Sequence, residues 1–456
     1  MGRPHDSHVF SAGIAGLLLS LIDPPHYSPT PESITMKLAT ALFLLLTPGL
    51  FAQTPTVAVS KDDAGNFILL RNGKPFHVNG AGGSKNLQQL ADAGGNSIRT
   101  WGIESLEDKV DGKRLIDRAQ ELNLAVTAGI WLGHGNEGFD YSNQAQLDKQ
   151  RDAVRAAVRK YKDSPALLIW GLGNEMEGDG NNPAIWKEVN TLAGIIKEED
   201  KNHPVMTVIA GAAANKIKGV IDYCPNIDIL GINAYASAGG AASTAKETGW
   251  KKPFILTEFG PSGQWEVSKT KWGAAIEPSS WDKAKSYFAT AEGLNDQKDI
   301  CIGSYVFLWG QKQETTSTWY GMFLDTGEKL PTVDVMTHEW TGHWPANRSP
   351  KITKFESDLK ENTVAAGSSV KASVAAEDSE SDPLTYEWMV VEEATVHGQG
   401  GSFEPTPPNV PECTAGQTGT DITVKVPAKP GAYRLFVTVK DGKGGASKDN
   451  MPFQVK

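Results

Sequence analysis

Two glutamates occupy equivalent places in this chain. Glu175 closes the run Ala166-Leu-Leu-Ile-Trp-Gly-Leu-Gly-Asn-Glu175, and Glu258 closes Pro253-Phe-Ile-Leu-Thr-Glu258 ahead of Phe-Gly-Pro. Each run is apolar for several residues and then stops on polar or turn-forming ones, as expected of a strand buried on both faces whose end reaches solvent. Two carboxyls brought face to face can divide the work on a glycosidic bond: one protonates the leaving oxygen while the other attacks the anomeric carbon. When the configuration is retained the two groups stand about 5 Å apart. They also need different proton affinities, because the acid must hold its proton and the nucleophile must be ionised. A single carboxylate after a strand is more often a solvated loop residue. Two of them at matching points of a repeating pattern argue for a shared task.

The elements that must position them alternate along the chain. Asn66–Arg71 reads as a strand followed by an Asn72-Gly73 turn, a strong hairpin signal. Strands are then expected at Pro75–Gly80, Asn96–Trp101, Leu124–Leu132, Ala166–Glu175, Val205–Ala210, Ile227–Ala236, Pro253–Phe259 and Ile302–Gly310. Between them lie helical stretches at Asn86–Ala93, Gly112–Leu122, Gln144–Tyr161, Pro183–Glu199, Ala214–Tyr223, Ser243–Thr248 and Trp281–Leu294, with a last helix over Thr332–Trp340. Eight strands each followed by a helix make a (β/α)8 TIM barrel, an α/β fold. Glu175 and Glu258 then end strands four and seven, across the barrel mouth from one another. An open doubly wound sheet would carry a glycine-rich phosphate turn, and neither GxGxxG in that context nor a Walker loop is present.

Past Trp344 the texture changes. Residues 345–350 read as a linker, and Lys351 onward gives short β-rich runs at Val370–Ala375, Leu384–Val391, Asp421–Val426, Tyr433–Lys440 and Met451–Val455. A small all-β sandwich is expected there. At the other end, Met36-Lys37 opens an apolar run, Leu38–Leu46, that leads to Ala52. Residues 36–52 read as a secretory signal, with the residues before Met36 a mis-assigned translation start. The apolar run is too short for a permanent membrane span. The reading is therefore residues 1–52 as start and signal, 53–348 as the barrel and 349–456 as the β-sandwich. The mature chain would be secreted or periplasmic, with no stable membrane insertion.

Composition narrows the classes further. The 456 residues carry a formal charge of -10, which argues against nucleic acid and anionic membrane surfaces as main partners. Cys224, Cys301 and Cys413 show neither metal-ligand spacing nor a CxxC pair, and read as buried thiols with at most one disulfide among them. The pair His338 and His343 is one residue too far apart for HExxH, and no GxSxG elbow appears. No metal or other cofactor is expected.

Gly173-Asn174-Glu175 after strand four and Thr257-Glu258-Phe-Gly after strand seven resemble the motifs of the clan A retaining glycoside hydrolases. The resemblance covers roughly Asn66 to Trp344 and is closest to the barrel domain of glycoside hydrolase family 2 and similar family 5-like enzymes. It implies Glu175 as acid/base, Glu258 as nucleophile and Asn174 as partner of the substrate 2-hydroxyl. Arg99 resembles the arginine that keeps the nucleophile ionised, Tyr235 the tyrosine that hydrogen-bonds it, and His134 a histidine lining the sugar site. Trp309 resembles the tryptophan floor beneath the bound sugar. Trp131, Trp265, Trp319 and Tyr320 fall in loops at the same face and could stack on sugar rings.

In the C-terminal region, Asp382–Trp388 and Gly431–Gly442 resemble polycystic-kidney-disease-type immunoglobulin-like modules. Family 2 enzymes normally carry two domains before the barrel, whereas here the extra module follows it, so sugar specificity does not transfer. The expectation is a retaining glycosidase acting on a β-linked oligo- or polysaccharide. One alternative is a transglycosylase of the β-glucanosyltransferase type using the same covalent intermediate. The other is an inactive carbohydrate-binding envelope protein, which intact Glu175 and Glu258 argue against.

Overall fold

The computed structural model describes residues 56–398 and 402–456. The signal read at 36–52 and the segment before it lie outside these residues. Eight parallel strands close in sequence order: β1 (Val78–Gly82), β2 (Ser97–Arg99), β3 (Ala125–Ile130), β4 (Leu167–Leu172), β5 (Val205–Ala210), β6 (Ile229–Asn233), β7 (Phe254–Phe259) and β8 (Cys301–Val306). The closed eight-stranded parallel barrel expected from the alternation is present. Its strands are almost entirely buried because side chains on one face fill the barrel and those on the other meet the helices.

Two clusters show how this packing is divided. Near the strand starts, Val78, Ala125, Ile169, Met206, Ile229 and Ile255 fill the interior, and Val57 and Leu69 of a preceding hairpin cover that end. The hairpin pairs Val57–Lys61 with Phe67–Arg71. Its next turn takes positive φ at Asn72 (54°) and Gly73 (73°), as a type I′ turn requires. Deeper in, Tyr305 of β8 hydrogen-bonds Ser97 (2.8 Å) and Thr127 (2.6 Å). A Cβ on Gly80 would come within 2.3 Å of that ring, so β1 needs glycine there.

Outside the barrel, the helix Gln144–Tyr161 buries Leu147, Val154, Val158 and Tyr161 along one face, the helical period. Each such side chain contributes about 1.5–3 kcal/mol. Asn143 caps the helix by accepting from the N–H groups of Ala145 (3.1 Å) and Gln146 (3.3 Å). All three cysteines are free and buried. No helix among the described residues is long and apolar enough to cross a membrane.

The C-terminal residues form a three-stranded sheet (Lys351–Ser357, Ser369–Glu377, Asp421–Lys425) and a four-stranded sheet (Thr363–Val364, Thr385–Glu392, Gly431–Lys440, Ala446–Val455). Val374 and Val424 of the first share a core with Val390, Leu435, Val437 and Phe453 of the second. The sheets are joined to the barrel by buried polar contacts as well as by the chain. Arg434, 1% exposed, donates to Glu393 (2.7 Å), Asn450 (2.6 Å) and the carbonyl of Ala275 (2.8 Å) in the barrel. Ser280, opening the helix Ser280–Asn295, donates its N–H to Asp449 (2.8 Å).

Candidate active site

Glu175 follows β4 through Gly173 and Asn174. The Gly173 N–H donates to Ile130 of β3 (2.9 Å) and the Glu175 N–H to Val208 of β5 (3.0 Å), so the turn is clamped by both neighbouring strands. Gly173 sits at φ 75° and Glu175 at φ 54°. A left-handed glutamate costs about 1–3 kcal/mol and persists where surrounding contacts over-determine it. The strain is located at the residue that Gly173 and the flanking strands hold in place.

Glu258 lies within β7, in register beside Asn233 of β6. Its Oε1 accepts from Arg99 Nη1 (2.9 Å) and Trp101 Nε1 (2.8 Å), and its Oε2 from the Tyr235 hydroxyl (2.9 Å). Three donors, one of them cationic, thus converge on this carboxylate. Arg99 is 2% exposed and spans the site, its Nη2 reaching Asn174 Oδ1 at 2.6 Å.

Asn233 links the two glutamates' surroundings. Its Nδ2 donates to Glu175 Oε1 (2.8 Å) and Asn174 Oδ1 (3.1 Å), while its Oδ1 accepts from Thr257 Oγ1 (2.7 Å). Burial, and then the nearby charge of Glu258, push the Glu175 carboxyl from 4.5 up to about 7, against the opposing Asn233 hydrogen bond. One carboxyl is thus set up to hold a proton near neutrality beside another bound by three donors.

Both glutamates open into one cleft of about 790 Å³, which Asn174, Tyr235, Trp131 and Trp265 also line. Other sequence-selected residues lie elsewhere. Arg99 stands behind Glu258, and His134 stands behind the turn, its Nε2 2.8 Å from the Asn174 carbonyl oxygen and its ring against Trp131. Neither lines the cleft.

Trp309 is a correction: it is buried, donates to the Asn86 carbonyl (3.1 Å) and packs on Phe323 and Trp340. The cleft wall after β8 is made by Phe307 and Leu308 instead. Three residues past the end of β8 at Val306, the Trp309 ring packs toward Trp340 of the helix Pro331–Thr341. Trp319 and Tyr320 are also buried, bonded to the Ser262 carbonyl and to Gln264.

Sequence reasoning missed Trp101, Asn233 and Thr257 as members of the network. Trp101 could have been found from strand alternation, since it lies two residues past Arg99. Among the described residues, no group of three or more His, Cys, Asp or Glu is arranged to hold a metal ion.

Residues 112–264 match the family model described as "Glycosyl hydrolases family 2, TIM barrel domain". That stretch holds β3 through β7, with both Glu175 and Glu258. Over these residues the barrel is similar to that family's TIM barrel domain. Among curated proteins, the probable mannan endo-1,4-beta-mannosidase F of Aspergillus oryzae is 23% identical over 265 residues, covering 43% of this chain and 57% of that protein. The mannan endo-1,4-beta-mannosidase F of Aspergillus clavatus is 26% identical over 331 residues, covering 56% and 76%. The chain thus spans little more than half the length of the first of these relatives.

Among solved structures, a beta-D-glucuronidase from Dictyoglomus thermophilum aligns at TM-score 0.48 and 16% identity, over 63% of this chain and 54% of that one. An exo-beta-1,4-mannosidase from Opitutaceae bacterium strain TAV5 aligns at TM-score 0.46 and 13% identity, over 62% of each. Both site glutamates lie within the residues that match the family model.

Proposed function

We propose that the chain is a retaining glycoside hydrolase that cleaves β-glycosidic bonds of an oligo- or polysaccharide by double displacement. The observation that carries the reading is one cleft holding two unlike carboxyls, Glu258 bound by Arg99, Trp101 and Tyr235, and Glu175 raised to about 7.

In the first step Glu258 attacks the anomeric carbon and Glu175 gives its proton to the departing oxygen. The products are a glycosyl ester on Glu258 and a free alcohol. Esterification removes the Glu258 charge, one of the causes that raise Glu175. Glu175, now ionised, takes a proton from water as that water attacks the same carbon. Sugar is released with configuration retained and both carboxyls return to their starting states. Asn174 has its Oδ1 occupied by Arg99 and Asn233, so its amide NH₂ is the group it offers a substrate hydroxyl. Trp131 and Trp265, 37% and 59% exposed, present indole faces to sugar rings.

The named activity of the matched fungal relatives makes β-1,4-mannan the first substrate to test. The apolar run ahead of Ala52 supports action outside the cytoplasm, and the paired C-terminal sheets suit an immunoglobulin-like module. Transfer to a sugar acceptor has no specific observation behind it. The deciding experiment is Glu258→Ala: turnover should fall by several orders of magnitude, and azide should restore it as a glycosyl azide of inverted anomeric configuration. Hydrolysis at the parent rate by this variant rules the mechanism out.

A further inference from the structure

The catalytic cleft is not the only cavity that Trp265 lines. A second, of about 570 Å³, lies between the barrel loop after β7 and the C-terminal sheets, and the two share Gln264 and Trp265. Its barrel side includes Trp272 and Lys269, and its other side comes from 392–397 and 429–433. We propose that this cavity is a distal saccharide subsite, where units of a β-linked oligosaccharide bind beyond the pair of glutamates. The inference rests on the glycosidase reading above and assigns the C-terminal sheets a share in binding the substrate.

Three independent features support it. Trp265 leaves 59% of its surface in solvent at the junction, although an indole normally gains from burial. It is also held in place: Glu266 of the same loop accepts from the N–H groups of Gly263 (2.8 Å) and Ala236 (3.1 Å), and Tyr235 meets the indole edge-on at 5.8 Å. A fixed, exposed aromatic shared by two cavities can support a sugar passing between them at small entropic cost.

Next, Trp272 lines the same cavity, a second aromatic side chain of the kind that can stack on a sugar ring.

Finally, the wall supplied by the sheets is fixed to the barrel. Glu404, 2% exposed, accepts from the N–H of Thr315 (2.6 Å) after β8 and from the N–H of Gly398 (2.8 Å). Thr315 lines the second cavity and Gly398 the catalytic cleft. One buried carboxylate therefore ties together segments that border both spaces.

The test compares short and long substrates in the full chain. Values of kcat/KM are measured for an aryl β-glycoside and for β-1,4-linked oligosaccharides of increasing length. The substitutions are Trp272→Ala, which removes the barrel wall, and Ala394→Trp, which fills the cavity from the sheet side. Parent enzyme should favour long over short substrates, and each variant should lower that ratio about tenfold, mainly through KM. Melting temperatures identify any variant that fails to fold, and the other then decides. A parent with no length preference, or a folded variant that keeps the parental ratio, overturns the subsite. Parental turnover in Glu258→Ala would instead overturn the glycosidase reading itself, so the two failures are told apart.

Discussion

Asn233 Nδ2 stands 2.8 Å from Glu175 Oε1, and the same amide nitrogen lies 3.1 Å from Asn174 Oδ1. The contact favours the ionised form of Glu175 and so works against burial, which favours the protonated one. Asn233→Ala should therefore raise the Glu175 pKa further and move the alkaline limb of kcat/KM upward. Loss of support for Asn174 and Thr257 should lower the rate itself, on the order of 10²-fold. A pH–rate profile reads both effects. An alkaline limb that stays put or moves down removes Glu175 as the proton donor.

Glu175 also couples function to stability. Its carboxyl is raised from 4.5 to about 7 in the folded chain. Below pH 4.5 both folded and unfolded states are protonated there, and the group has no effect. Between 4.5 and about 7 the unfolded state loses the proton first, so stability falls as pH rises, with the full cost present above 7. Glu175→Gln removes this titration while keeping an acceptor for Asn233. Thermal unfolding should show the variant more stable than the parent at pH 8, by on the order of a few kcal/mol, with no advantage at pH 4. An equal difference at both pH values contradicts the assigned shift.

Arg99 is the charge on which Glu258 depends, and it also positions Asn174. Lysine keeps the charge but cannot reach Glu258, the Thr257 carbonyl and Asn174 together, because it lacks the planar fork. Arg99→Lys should cut kcat by roughly 10²-fold or more. Arg99→Met leaves a buried carboxylate without its cation and should also destabilise the fold by about 3–5 kcal/mol. Kinetics and melting curves on the two variants separate positioning from charge. Near-parental kcat in Arg99→Lys means the fork is not needed.

The same residues show what the sequence made legible. Apolar runs of strand length, separated by helices with a 3.6-residue period, located all eight barrel strands, and the polar ends of strands four and seven exposed Glu175 and Glu258. Arg99 and Tyr235 lie on strands or just after them, where alternation fixes direction, and both reach Glu258. Trp309 failed because it lies three residues beyond β8, past the point where strand periodicity still sets direction. Asn233 was hidden for another reason: its value lies in contacts to Asn174, Glu175 and Thr257 on two other strands, which only barrel closure creates. Glu404 is further out of reach, since nothing local ties a residue among the C-terminal sheets to Thr315 in a barrel loop.

That long-range joining has its own consequence at Arg434. The guanidinium is 1% exposed and bridges Glu393 and Asn450 to the carbonyl of Ala275, with Glu277 4.0 Å away. Removing one partner of a buried pair leaves the remaining charges uncompensated, at about 3–5 kcal/mol. Lys283 also neutralises Glu277, so the unpaired charge in Arg434→Met falls mainly on Glu393. The double variant with Glu393→Gln should therefore recover a good part of the loss. Because these contacts join sheets and barrel, the parent should melt in one cooperative transition, and Arg434→Met should lower its Tm or split it in two. Calorimetry distinguishes these outcomes. Two separate transitions already present in the parent, with the second unmoved by Arg434→Met, would show that the sheets fold independently of the barrel and that Arg434 joins nothing.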